Sequence, residues 1–308
     1  FNSISYSLQT FSSLTINTLF SSFMSNSNST VSKWSNLSEN KYEYDIVYTE
    51  RINHATELTM KAIEDGFEYI AAVGGDGTIN EVAKCLIGKK QILVIVPLGS
   101  GNGLARHLEL PFRVERLITE VINNGDVFKI DTATMNGVPF ISIAGIGFDA
   151  LIADYFSKDG NRGFRTYAKL VTEEYHNFKP KEYTLVLDDD KTIVCKPFFV
   201  TFANSSQFGY NAEISPKASV QDGLLDVCIF KKPNIIEVPI VATYFITKQI
   251  DKSNFIDIYK AKKISVTREI EDVVNIDGEA LPMCKDICVE INPLSLNILL
   301  NINIYDKK

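Results

Sequence analysis

A glycine-rich turn between an apolar strand and a helix constrains this chain more than any other stretch. Residues 69–73, Tyr-Ile-Ala-Ala-Val, are an unbroken apolar run that predicts a buried strand. Gly74-Gly75-Asp76-Gly77-Thr78 follows, and then residues 79–87, whose apolar spacing predicts a helix. Three glycines let the backbone turn sharply and approach a ligand without a Cβ in the way. The unpaired N–H groups of the helix start favour an anion there. A carboxylate inside such a turn, Asp76, suits the handling of a cation or a proton beside phosphate. A plain tight turn is the competing reading of this stretch alone.

A second unit of the same kind weakens that alternative. Residues 91–97, Gln-Ile-Leu-Val-Ile-Val-Pro, predict another buried strand, which runs into Leu98-Gly99-Ser100-Gly101-Asn102-Gly103 and a short helix. Two strands that each end in a glycine loop and feed a helix place both loops at the carboxyl edge of one parallel sheet, where open α/β sheets bind ligands. With a strand over 44–48 and helices over 55–65 and 114–123, alternating elements predict a doubly wound α/β nucleotide-binding domain over residues 41–130.

After residue 125 the texture changes to short strands parted by turns, with helical patterns only over 164–176 and 235–247. This predicts a mostly antiparallel β-sandwich domain over residues 131–308. Residues 1–40 are rich in Ser and Asn, carry almost no charge and show no sustained period. They read as an atypical segment that packs poorly and is no signal peptide.

A net charge of −7 speaks against nucleic acid as the main partner. No apolar run is long enough to span a bilayer. The five cysteines are scattered without zinc-site spacing and read as reduced thiols of a cytoplasmic protein.

In their order, Gly74 to Thr78, Asn80-Glu81-Val82, Pro97 to Asn102, Gly145-Ile146-Gly147-Phe148-Asp149-Ala150, Asp222-Gly223-Leu224-Leu225-Asp226-Val227 and Asp277-Gly278-Glu279 resemble the catalytic region of diacylglycerol kinases and sphingosine kinases. The segment 49–58 is similar as well. The likeness runs from about Tyr44 to the C-terminus. It departs at the start, where the family carries a further phosphate loop of the Asn-Pro-x-Ser-Gly kind that this chain lacks.

The resemblance implies a two-domain lipid kinase with its active site in a cleft, using ATP and Mg2+ on a lipid hydroxyl of the diacylglycerol, sphingoid or ceramide type. It implies a nucleotide cradle of Thr49, Gly74, Gly75, Gly77, Thr78, Asn80, Gly99, Ser100, Gly101 and Asn102. Capping is the plainer role for Thr49 and Asn80. Asp76 and Glu279 are the catalytic candidates: either could be the base, and Asp76 could instead hold magnesium through water. Asp149 is the candidate for substrate binding. Asp222, with backbone oxygens of Ser219 and Leu224, would hold a structural magnesium, although a hairpin turn fits the spacing equally. Arg162, Arg165 and the aromatic residues Phe156, Phe164, Tyr167, Tyr175 and Phe178 could serve a lipid or be ordinary surface and core. The partner implied is a lipid at a membrane surface, met by peripheral association at the inner face, with oligomeric state, a dimer included, left open. The rival readings are a kinase of a soluble substrate such as NAD and a non-catalytic nucleotide- or lipid-binding relative.

Overall fold

The computed structural model describes residues 15–21, 43–158 and 164–302. Arg162 lies outside them, as do residues 22–40, and the side chains of Phe164, Arg165 and Tyr167 are likewise outside what is described. The chain divides into two compact units, one of residues 1–130 and 294–308, the other of Asp131–Pro293.

The first unit carries a parallel sheet. Its strands are β1 (Thr15–Ser21), β2 (Glu43–Thr49), β3 (Tyr69–Gly74) and β4 (Ile92–Pro97), in the order β2-β1-β3-β4. Helices α1 (His54–Glu64) and α2 (Asp76–Leu86) alternate with the strands, followed by the short α3 (Gly103–His107) and α4 (Val114–Leu117). Every residue of β3 and β4 is buried, which is why both read as unbroken apolar runs rather than alternating ones.

Two expectations are corrected here. The composition of residues 1–40 predicts poor packing, yet Thr15–Ser21 is a strand paired in parallel with β2 on one side and β3 on the other. Its sequence, Thr-Ile-Asn-Thr-Leu-Phe-Ser, is dominated by β-branched and large apolar residues that suit a strand; the serines and asparagines around it mask this in the average. The strand pattern predicts a second domain running to residue 308. Instead the chain from Leu294 belongs with the first unit, and Asn297 and Ile298 pair in parallel with Ile92 and Leu93 of β4.

The second unit is a sandwich. One sheet is antiparallel throughout, in the order β12-β11-β10-β7-β14-β15, with β7 Ile143–Gly147, β10 Phe199–Ala203, β11 Leu225–Phe230, β12 Ile256–Ala261, β14 Asp272–Ile276 and β15 Glu279–Met283. Facing it are β8 (Tyr183–Leu187), β9 (Lys191–Cys195), β13 (Lys263–Arg268) and the first part of β16 (Asp286–Leu300). The hairpin of β5 (Asp126–Met135) and β6 (Val138–Phe140) joins this side through β16. Val200, Phe202, Val227, Val274 and Ile276 from the first sheet meet Leu185, Ile264, Val266 and Val289 from the second in one buried cluster.

The six-stranded sheet has a second apolar face. Ile143, Phe199, Phe230 and Ile256 point away from the sandwich and are covered by α5 (Phe148–Lys158) and α7 (Val238–Ile246), with α6 (Phe164–Tyr175) between them in sequence. Phe198 stacks on Phe148 at 4.2 Å between ring centroids, and Phe199 on Phe230 at 4.7 Å. Tyr175 and Phe178 pack against this aromatic group.

Candidate active site

In the first unit the two glycine loops lie in backbone contact. Gly75 sits in extended conformation ahead of α2. Gly74 O accepts hydrogen bonds from Leu98 N at 2.8 Å and Gly99 N at 3.2 Å. A Cβ on Gly99 would stand 2.5 Å from the Gly75 Cα and 2.8 Å from Asn102 Oδ1, closer than Cβ atoms approach. Glycine is therefore required at this crossing for lack of space, not for an unusual φ.

Asp76 fastens the loops. Its Oδ2 accepts from Asn102 N at 2.7 Å and its Oδ1 from Gly103 N at 2.8 Å. A carboxylate that opens α2 and also caps α3 meets partial positive charge from both helix starts. Asn102, at φ 50°, is buried in the left-handed conformation, and its Nδ2 donates to Gly99 O at 2.5 Å. Its Oδ1 is a buried acceptor with no partner among the described residues. Arg106 Nε donates to Gly101 O at 2.8 Å. Thr49 is buried at the end of β2, Asn80 is buried in α2, Gly77 and Ser100 are exposed, and Thr78 is half-buried. The first hydrogen bond of α2 runs from Ile79 N to Gly75 O, so the helix itself pairs none of the N–H groups of Asp76, Gly77 and Thr78. Of the cradle candidates, Gly74, Gly75, Gly99, Gly101 and Asn102 are thus joined in one hydrogen-bonded and close-packed group that also includes Asp76.

In the sequence Glu81 belongs to the Asn80-Glu81-Val82 motif but is given no role. Its carboxylate accepts from Asn53 N at 3.1 Å and Ala55 N at 3.0 Å and so caps α1.

The second unit holds the other candidates. Glu279 is exposed and opens β15, after a turn in which Asp277 (φ 50°) and Gly278 (φ 89°) are left-handed. Asp277 accepts from the backbone N–H groups of Ile141, Ser142 and Ile143 at 2.9, 2.9 and 3.0 Å, which fixes the turn. Asn275 ties this turn to Asp149. Its Oδ1 accepts from Gly278 N at 2.9 Å, and its Nδ2 donates to Asp149 Oδ1 at 2.9 Å. Asp149 Oδ2 is buried with no partner among the described residues. Burial raises the Asp149 pKa to about 6, against a smaller opposing effect of the Asn275 hydrogen bond. The space for this carboxyl comes from Gly145, where a Cβ would lie 1.9 Å from Asp149 Oδ2. Sequence reasoning singled out Asp149 and Glu279 but missed Asn275, which joins them.

The sequence predicts a magnesium loop at Asp222, with Ser219 and Leu224. Oxygen donors are of the right kind for a hard cation. The Asp222 carboxylate, however, already meets two donors, Leu224 N on Oδ1 at 3.1 Å and Lys260 Nζ on Oδ2 at 2.6 Å. Lys260 Nζ also lies 3.1 Å from Asp226 Oδ1. Its pKa is raised: hydrogen bonds and charge from the two aspartates outweigh the cost of burial. The Lys260 ammonium thus meets the carboxylate at which the divalent ion was expected. Asp131, buried, is a structural partner of the same turn, its Oδ2 accepting from Gly223 N at 2.8 Å.

Two family models match the chain. Residues 25–135 match the diacylglycerol kinase catalytic domain, and residues 142–300 match the YegS C-terminal NAD kinase beta sandwich-like domain. The chain belongs to the diacylglycerol kinase family. It is 31% identical over 245 residues to a diacylglycerol kinase of Bacillus subtilis, covering 77% of this chain and 80% of the relative. It is 28% identical over 244 residues to one from Staphylococcus saprophyticus, covering 77% and 79%. A solved structure described as a diacylglycerol kinase from Bacillus anthracis superposes with a TM-score of 0.74 at 20% identity, covering 94% of this chain and 98% of that one. At that identity the likeness concerns the fold: an α/β unit and an antiparallel β sandwich. The family supports a kinase of the lipid-kinase type. No described helix is long and apolar enough to cross a membrane.

Proposed function

We propose that the protein transfers the γ-phosphoryl group of ATP, taken up with magnesium as the nucleotide's own counter-ion, to the hydroxyl of a lipid of the diacylglycerol, sphingoid or ceramide type. The observation that carries this reading is the locked pair of glycine loops, with Asp76 bridging to Asn102 N and Gly103 N at the start of α2. Such a helix start favours phosphate oxygens. Both Asp76 oxygens accept backbone hydrogen bonds, which favours a positioning role for it over that of base. Glu279, exposed on a fixed turn, is the group assigned to the acceptor. It takes the hydroxyl proton as the acceptor oxygen bonds to the γ-phosphorus; the bond to the bridging oxygen of ADP breaks, and the products are ADP and a phosphate monoester. Asp149, buried beside the same turn, is assigned to orienting the acceptor headgroup.

The diacylglycerol kinase names of the relatives favour a lipid acceptor. The NAD kinase-like description of the second domain keeps a soluble acceptor as the second reading. The test is incubation of the purified protein with radiolabelled ATP and, separately, diacylglycerol, a sphingoid base, ceramide, phosphatidylglycerol or NAD in detergent, with products separated by thin-layer chromatography. A labelled lipid product is expected. Label in NAD alone, or in nothing, would overturn the proposal.

A further inference from the structure

Helix α7 (Val238–Ile246) is short, uncharged and covers the aromatic group on the outer face of the six-stranded sheet. Its inner side is anchored by Val241, buried, and by Tyr244 and Phe245, which pack on that cluster. Its outer side and the turn before it are apolar and open. Ile235 is 59% exposed, Ile236 84%, Ile240 52% and Ile246 81%. The threonines of this segment are hydrogen-bonded to its own backbone. Thr243 Oγ1 donates to Pro239 O at 2.9 Å, and Thr247 Oγ1, just past its end, to Thr243 O at 2.8 Å. Between Lys232 and Lys248 the sole charged residue is Glu237, and its carboxylate accepts from Asn234 N at 2.6 Å. Four exposed isoleucines around a single helix, with both threonines and Glu237 already hydrogen-bonded, are more than scattered surface apolarity.

We infer that this face docks on a lipid bilayer, seating the isoleucines among the acyl chains at the headgroup boundary. The inference rests on the lipid-kinase reading for its purpose, though not for its geometry. Three features select a bilayer over another protein surface. A standard protein interface takes about 20–30 residues a side, whereas this face is one helix about 13 Å long at 1.5 Å per residue. The threonine hydroxyls, satisfied within the helix, ask nothing of an apolar surrounding that offers no hydrogen bonds. Lysines bracket the apolar run: Lys231 before it and Lys248 after it expose about half of each side chain, each beside an acidic partner, Asp257 and Glu213. At those positions the two ion pairs would lie at the level of the headgroups, with the apolar run between them.

The test is sedimentation of the full chain, without nucleotide, with vesicles of phosphatidylcholine and of phosphatidylcholine with phosphatidylglycerol. Wild type should bind both. Ile236→Asp/Ile240→Asp should raise the lipid concentration for half-binding by at least about tenfold with an unchanged thermal midpoint. Val194→Asp, which alters an aliphatic residue 63% exposed on β9, should leave binding as it was. Ile236→Trp supplies a reading that does not depend on a disruptive change. The emission of the introduced indole, after subtraction of the wild-type signal from Trp34, should shift to the blue when vesicles are added. Wild type that stays in solution, double-variant binding equal to wild type, or an introduced emission that does not move would overturn the inference. So would a wild-type dimer that the double variant splits while vesicle binding persists, since a second copy would then cover the face. Because no ATP is present, failure of the kinase reading would show in the chromatographic assay and leave this measurement standing.

Discussion

Replacing Asp76 by alanine should lower stability as well as activity. The carboxylate accepts two backbone N–H groups, Asn102 at 2.7 Å and Gly103 at 2.8 Å, and both of those residues are buried. Hydrogen bonds to a charged acceptor contribute about 1.5–3 kcal/mol each, so the pair is worth about 3–6 kcal/mol. Asp76 itself is half-exposed, and water will replace part of the loss, which puts the expected cost in the lower half of that range. Asp76→Asn keeps one acceptor but turns an N–H2 toward the second donor, so it should fall between wild type and alanine. Urea unfolding with linear extrapolation reads the stability, and calorimetric titration reads ATP affinity, which should weaken in both variants because the Gly99–Asn102 loop loses its tether. The reasoning is refuted if Asp76→Ala unfolds within about 0.5 kcal/mol of wild type, the ordinary range for an uninvolved surface change, while turnover vanishes. Asp76 would then act on the reacting atoms and not on the loop.

Glu279→Gln should lower turnover by about 10²–10⁴-fold in steady-state assays while leaving the urea midpoint in place, because Glu279 is exposed; unchanged turnover would remove it from the chemistry. Asp149 has a folded-state pKa of about 6, above the ordinary aspartate value of 3.8. The folded protein therefore holds that proton more tightly, and the contribution to stability is full below about pH 4 and lost as pH rises through 6. The change is on the order of 2–3 kcal/mol, and Asp149→Asn should flatten stability over that window and raise the melting temperature at pH 7; an unchanged pH profile would place the raised pKa elsewhere. Deleting residues 1–40 removes β1 from between β2 and β3 and should abolish the cooperative thermal unfolding of the first unit; a truncated chain that melts like the full one would show that the strand is dispensable.

What could be read from the sequence was what is local. The runs Tyr69–Val73 and Ile92–Pro97 are buried along their whole length, and each hands directly to glycines and a helix, so strand, turn and helix follow from neighbouring residues alone. The β1 strand is equally local, but seven residues among many serines and asparagines vanish in a forty-residue average. Contacts across the chain carry no such signal. Asn275 reaches Asp149 over 126 positions, and Lys260 reaches Asp222 over 38. The first contact links two separate candidates through one amide. The second puts a cation of the chain's own where an external one was expected. In both cases the residue type at the far end, an asparagine in a strand and a lysine near a strand end, is ordinary by itself. Its role comes from sheet register. Gly145 lies opposite Asn275 in the β7–β14 pairing, and the side chain it lacks leaves room for the Asp149 carboxyl that Asn275 holds. A larger residue at 145 would displace that carboxyl and, through Asn275, loosen the turn that presents Glu279. The glycine in the Gly145-Ile146-Gly147 motif is thus a requirement of space at a site to which it contributes no chemical group.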